Sequence, residues 1–120
     1  MWWALLGLTV GVAAGLLLPI SVPLLYARYL SIALLAALDA VFGGLRARME
    51  GSFDDLVFLT GFFGNSLLAA LLTYVGDRLG VELYYAALFA LGYRIFQNLG
   101  RIRRHLLRWA VEKKEVAGRR

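Results

Sequence analysis

The stretch "LVFLTGFFGNSLLAALLTYV", residues 56–75, decides the fold class. It contains no Asp, Glu, Lys or Arg, and about 20 apolar residues is the length of helix that crosses the hydrocarbon core of a bilayer. The rest of the chain is similar, since 61% of its 120 residues are hydrophobic and the mean hydropathy is +0.70. A soluble domain of this length cannot bury so much apolar surface. The sequence therefore predicts an all-α integral membrane protein.

Three further apolar segments accompany this one, so the predicted spans are residues 2–18, 29–44, 56–75 and 83–99. Pro19 ends the first, because proline cannot continue a regular helix. The second has only 16 residues, close to the lower limit of about 17 for a crossing. The sequence predicts a bundle of four transmembrane helices, or three if residues 29–44 re-enter or lie in the interface. Residues 1–100 form this membrane domain, and residues 101–120 form a basic cytoplasmic tail.

Basic residues determine the predicted orientation. The net charge is +5, and eight basic residues follow the last span, whereas the 45–55 loop carries two and the 19–28 and 76–82 connections carry one each. Cytoplasmic loops are enriched in Lys and Arg, so the 45–55 loop and the C-terminus are predicted to be cytoplasmic. The N-terminus is cytoplasmic with four spans and external with three. The first segment lacks a basic region and a cleavage site, so we interpret it as a span and not as a cleaved signal peptide.

Small residues recur at helical spacing in several spans. Gly7, Gly11 and Gly15 form a GxxxGxxxG series. In the third span, Gly61, Asn65 and Ala69 recur at the same four-residue spacing. A second stripe comprises Ala33, Ala36, Ala37, Ala40 and Gly44. In lipid, small residues let helix backbones approach closely. These faces are predicted to pack helices, either within one chain or between copies, and a homo-oligomer is expected.

Two ionisable residues lie inside predicted spans. Asp39 precedes Arg46 by seven residues, and Arg94 precedes Arg101 by seven, which places both charges at similar depth in the cytoplasmic third. An ion pair between Asp39 and Arg94 is therefore predicted. Ionisable residues within a membrane are costly and mark functional sites by default. The pair is either structural, with Arg94 extending toward the interface, or part of a pathway or partner site.

The tail "RIRRHLLRWAVEKK", residues 101–114, is amphipathic. Its apolar residues lie on one side and its basic residues beside them, a pattern typical of helices that bind anionic lipids. The predicted lipid- or partner-binding residues are Arg101, Arg103, Arg104 and Arg108. A protein partner is the alternative. Nucleic acid is not expected, because no aromatic platform or reading motif accompanies the charge.

An enzymatic function is not expected. Asp39, Arg48, Asp54 and Asp55 loosely resemble the Asp-rich metal motif of membrane phosphatidyl-alcohol transferases, but the spacing differs and the further carboxylates are missing. Asp54 and Asp55 are better explained as first-turn acids of the next helix, with Ser52 as N-cap in an S-x-x-D capping box. With no cysteine in the chain, thiolate chemistry is excluded. No catalytic residue, metal or cofactor is predicted.

Three long segments resemble the bacterial small basic protein family: "YLSIALLAALDAVFGGLRARMEGSFDD" (29–55), "GFFGNSLLAALLTYVGDRLGV" (61–81) and "YRIFQNLGRIRR" (93–104). The resemblance covers about residues 1–107. It implies a bacterial plasma-membrane protein without an assigned activity, whose genes often lie beside cell-division and cell-wall genes. A structural or interaction subunit of a division or envelope assembly is therefore expected. The alternative is a small homo-oligomeric channel or transporter, lined by Asp39, Asn65 and Arg94.

Overall fold

The computed structural model describes all 120 residues and contains four helices: α1 (Trp2–Leu17), α2 (Leu24–Met49), α3 (Asp55–Leu79) and α4 (Leu83–Gly118). The prediction of an all-helical chain is confirmed. Both α2 and α3 are long and apolar enough to cross a membrane, and α1 is a shorter apolar helix. The 16-residue segment 29–44 belongs to α2, which has 26 residues and a length of about 39 Å.

Gly51 and Gly80 end α2 and α3, and both have positive φ, at 73° and 69°. After α2, the Ser52 N–H donates to Ala47 O (2.8 Å) and the Gly51 N–H to Arg48 O (3.2 Å). This pair of bonds is the Schellman motif, which requires a left-handed residue at the Gly51 position. Ser52 therefore belongs to the end of α2.

The prediction that Ser52 caps α3 is wrong. The N-cap is Asp54, whose carboxylate accepts a hydrogen bond from the Val57 N–H at 2.9 Å. The Ser52 hydroxyl instead donates to Ala47 O at 3.4 Å. Asp55 lies in the first turn, as predicted, where a negative charge favours the helix dipole.

Helices α2, α3 and α4 pack into a three-helix bundle around a small apolar core. Its buried residues are Ile32, Ala36, Ala69, Ala87 and Leu91. The alanines let the three backbones approach closely. Nearer the end of α2, Gly44 leaves room for the Phe58 ring, because a Cβ there would lie 2.8 Å from that ring. The small-residue stripe of α2 is thus used within the chain.

Helix α1 is attached to this bundle mainly at its first turn. Trp3 packs edge-on against Phe58, with ring centroids 5.5 Å apart, and Met1 is buried. No residue of α1 itself is buried. Because Phe58 lies at the start of α3, the N-terminus of α1 lies at the same end of the bundle as the α2–α3 turn. We call this the basic end, and the other the opposite end.

Helix α4 continues beyond the bundle at the basic end. It has 36 residues, about 54 Å of helix, and every residue after His105 is exposed. The predicted boundary at residue 100 lies inside this helix, so residues 101–118 continue α4 as one rigid element. Lone Gly100 does not break it, since one glycine costs only about 1 kcal/mol among strong helix formers.

Candidate functional site

The most unusual side chain in the structure is Asp39. It is 0% exposed, and neither carboxylate oxygen accepts a hydrogen bond. Arg94 Nη2 lies 3.3 Å from Asp39 Oδ2, while the Arg94 side chain remains 51% exposed. The structure thus brings together the two residues that the sequence pairs. A buried carboxylate without hydrogen bonds is costly, so this position is the first candidate for a functional site.

A cavity of about 210 Å³ opens beside Asp39, and we call it the inner cleft. It lies between α2 and α3 and extends from Asp39, Asn65 and Arg94 to Ser52 and Asp54 at the basic end. Three glycines provide the space where side chains would otherwise fill the groove: Gly43, Gly44 and Gly61. The cleft is large enough for several water molecules, since a liquid water occupies about 30 Å³.

The inner cleft ends at Asp39. Toward the opposite end lies the apolar core, in which Ile32 and Ala36 are fully buried and Leu91 is 5% exposed. A smaller cavity of about 120 Å³ between α3 and α4 shares Asn65 and Arg94 with the inner cleft. Thr73, also fully buried, satisfies its hydroxyl by donating to Ala69 O at 2.9 Å. Polar groups that lack partners therefore lie only in the half of the bundle nearer the basic end.

A second polar cluster joins α2 to α4 at the basic end. Arg46 Nε donates to Asn98 Oδ1 at 2.8 Å, and Arg46 Nη1 donates to Glu50 Oε2 at 2.9 Å. His105 Nε2 lies 3.6 Å from Glu50 Oε1. Sequence reasoning used Arg46 only for orientation and missed these contacts. The available signal was that Arg46 and Asn98 both lie near the cytoplasmic ends of predicted spans.

A third cluster closes the opposite end. Arg28 contacts Asp77 at 3.1 Å and Glu82 at 2.6 Å, and its guanidinium lies 4.9 Å from the Tyr84 ring centroid. Tyr29 donates its hydroxyl to Asp77 Oδ2 at 3.0 Å. The cluster ties the starts of α2 and α4 to the end of α3. The sequence contained a signal for this cluster. Arg28 lies in the 19–28 connection, Asp77 and Glu82 lie in the 76–82 connection, and the two connections were predicted on the same side of the membrane.

Two predicted packing residues have a different environment from the expected one. Gly61 and Asn65 line the inner cleft, and no atom lies within 4 Å of the place where a Gly61 Cβ would be. Within the chain, no neighbouring helix covers Gly61, and the expectation that these residues pack helices stays a prediction. Gly7, Gly11 and Gly15 likewise have nothing within 4 Å, so no helix of the same chain covers their face.

The remaining predicted residues separate into two groups. Arg101, Arg104 and Arg108 line a second cavity with Glu50 and His105, and Arg103 does not. Of the loosely metal-like set, Asp39 and Asp54 line the inner cleft but Asp55 does not. No group of three or more His, Asp or Glu side chains converges in the chain.

Comparison with known proteins identifies relatives over nearly the whole chain. A family model described as a protein of unknown function, DUF1290, matches residues 22–107. A protein of Bacillus subtilis (strain 168) named "Small basic protein" is 50% identical over 115 residues, which cover 95% of each chain. Uncharacterized proteins of Mycobacterium bovis and Mycobacterium tuberculosis are 52% identical over 101 residues, covering 82% of this chain and 84% of theirs. No solved structure matches. The resemblance found in the sequence is confirmed.

The Asp39–Arg94 contact predicts energetic coupling between the two residues. Arg94→Gln leaves the buried carboxylate without its cation and is expected to destabilise the bundle, and Asp39→Asn in the same chain is expected to restore stability. We expect a coupling free energy of about 1–3 kcal/mol from a double-mutant cycle. The measurement is thermal unfolding followed by circular dichroism in detergent micelles. Arg103→Gln is the matched control, and additive effects of Arg94→Gln and Asp39→Asn would contradict the pairing.

Proposed function

The chain belongs to the DUF1290 family of proteins of unknown function, and we propose that it is a multi-pass plasma-membrane protein that acts as a structural or interaction subunit. The observation that carries this proposal is the distribution of apolar surface. Nine hydrophobic residues are buried, whereas 36 large hydrophobic side chains are exposed. In water such a surface promotes association. A bilayer accommodates it without cost.

The spacing of the polar clusters supports a transmembrane arrangement. Tyr84 belongs to the cluster at the opposite end and Arg101 to the cavity at the basic end. They are 17 residues apart on one continuous helix, about 26 Å, which approaches the hydrocarbon thickness of about 30 Å. The basic end is proposed to be cytoplasmic. With α1 starting at that same end, four crossings place both termini in the cytoplasm.

The interaction surface is proposed to be α1, and its partner a second copy of the chain. An apolar helix with no buried residue and an uncovered Gly7–Gly11–Gly15 face leaves its packing capacity unused. The same face on two copies forms a self-complementary, two-fold symmetric contact, and GxxxG spacing permits close backbone approach. A division or envelope assembly is the proposed setting, supported by the family resemblance.

The inner cleft favours a second candidate, a small homo-oligomeric channel or transporter. Asp39, Asn65 and Arg94 line a polar cavity of the kind that ion and proton pathways use. In a single chain, the fully buried Ile32 and Ala36 lie between this cavity and the opposite end. A channel therefore requires a second copy to supply the missing half, which makes the subunit function the better supported of the two.

The four-span arrangement predicts the location of Ser21. The chain contains no cysteine, so Ser21→Cys and Ser52→Cys each introduce a single thiol at an exposed position. With four spans, a membrane-impermeant maleimide labels Ser21→Cys in intact cells and Ser52→Cys only after permeabilisation. With three spans Ser21 is cytoplasmic, and protection of both thiols in intact cells would overturn the four-span arrangement.

The association of α1 helices predicts that Gly11→Leu dissociates the oligomer. Leucine fills the face at its centre, and we expect at least about a tenfold weaker association, equivalent to about 1.4 kcal/mol. Mass measurement in lipid nanodiscs gives the oligomeric state. Val12→Leu is the matched control, because Val12 is exposed one position along the same helix. A parent protein that is monomeric, or equal effects of the two variants, would refute association through the glycine face.

The two candidate functions differ in ion flux. Purified protein in liposomes is expected to give no flux of protons or simple ions above protein-free liposomes if it is a subunit. A channel lined by Asp39 gives flux that Asp39→Asn lowers, because the substitution removes the charge from the pathway. Flux that depends on Asp39 would replace the subunit function by the alternative.

A further inference from the structure

The basic end carries a second cavity of about 180 Å³, lined by Glu50, Arg101, Arg104, His105 and Arg108 and by no hydrophobic residue. We call it the arginine pocket. Its basic side chains project from one side of α4 at positions i, i+3, i+4 and i+7, which share a helix face. The end of α2, through Glu50, forms the facing wall.

The guanidinium groups of this pocket have unused hydrogen-bonding capacity. None of Arg101, Arg104 and Arg108 is among the residues that form ion pairs. Arg104 alone has a hydrogen bond, from Nε to Gly100 O at 3.4 Å. Each guanidinium has five N–H donors in a planar fork. Three cations on one helix face repel one another, and Glu50 is the one acidic residue of the pocket, so a further anion would stabilise the arrangement.

The acidic wall of the pocket does not oppose an anion strongly. Glu50 accepts a hydrogen bond from Arg46 at 2.9 Å and faces His105 Nε2 at 3.6 Å. The Arg46 guanidinium therefore offsets the Glu50 charge from the α2 side. The three free guanidinium groups provide the remaining field in the pocket.

The position of the pocket along α4 indicates which anion it meets. Arg101 lies about 27 Å along the helix from Leu83, and Arg108 about 38 Å, at the helical rise. A hydrocarbon core of about 30 Å ends between them, and the headgroup layer follows. In the proposed membrane arrangement, the arginine pocket is therefore at the height of the lipid phosphates on the basic side.

We propose that the arginine pocket is a specific binding site for a phosphate group, supplied by an anionic lipid headgroup. Planar guanidinium groups recognise phosphate oxygens through paired, charge-assisted hydrogen bonds. Arg101, Arg104 and Arg108 bind the phosphate, and Glu50 with His105 closes the wall behind it. This inference rests on the proposed membrane location, but it differs from general attraction of a basic tail to the leaflet. It assigns different roles to neighbouring arginines.

Arg103 and Arg104 provide the test. Both are exposed on α4, but only Arg104 lines the pocket. The full-length protein is titrated in detergent with phosphatidic acid, and bound lipid is counted by native mass spectrometry. We expect Arg104→Gln to weaken binding about tenfold more than Arg103→Gln. If attraction to basic charge alone were responsible, both variants would weaken binding equally, and that result would overturn the site.

Glycerol 3-phosphate, which carries the same phosphomonoester without acyl chains, distinguishes the two sources of phosphate. Binding of phosphatidic acid alone, with dependence on Arg104, supports the lipid headgroup as ligand. If glycerol 3-phosphate binds at least as tightly as phosphatidic acid, with that dependence, the phosphate site is supported but the ligand is assigned to the soluble pool. Binding of neither overturns the site. Failure of the membrane location is detected separately, by the labelling of Ser21→Cys, and circular dichroism verifies that both arginine variants remain helical.

Discussion

The structure depends on the close approach of three helices at Ala36, Ala69 and Ala87. These small residues form the centre of a core in which Ile32 and Leu91 are the only larger members. Helices this close gain dispersion contacts and bring their polar groups within reach of one another. The consequence for the rest of the chain is that most of its large apolar side chains face outward. The same property that closes the bundle therefore leaves a large apolar surface exposed.

Apolar contacts between alanines do not fix how far one helix slides along another, and the polar contacts supply that specificity. Arg28 joins α2 to Asp77 of α3 and Glu82 at the start of α4. Asp39 meets Arg94, and Arg46 meets Asn98, so α2 and α4 are joined at three heights. Exposed ion pairs contribute little stability individually. Three contacts at separate heights nevertheless admit only one register.

The sequence was sufficient for the helices and for one polar contact. Hydropathy located all four helices, and the common distance of Asp39 and Arg94 from basic helix ends was enough to pair them. The sequence was not sufficient to predict features that depend on the local geometry of the backbone and of neighbouring side chains. Ser52 has the spacing of an N-cap, but the left-handed Gly51 turns its backbone N–H to Ala47 O, and Asp54 takes the cap. Gly61 has the spacing of a packing glycine, yet it lines the inner cleft together with Phe58 and Phe62. Spacing along one helix does not show which side chains of the same helix surround a glycine.

The two ends of the bundle differ in how many charged side chains lack a partner within the chain. This difference indicates where a ligand or a second subunit would bind. At the opposite end, Arg28, Asp77, Glu82 and Tyr29 satisfy one another. At the basic end, the inner cleft leads to a carboxylate without hydrogen bonds, and Arg101, Arg104 and Arg108 lack acidic partners. The first turn of α1 lies at this end as well, through Trp3 and Phe58. Because a buried charge without hydrogen bonds is costly in a single chain, the basic end is the part of the molecule that gains most from a ligand or a second subunit. A phosphate in the arginine pocket and a partner beside α1 would then act on the same end of one rigid bundle.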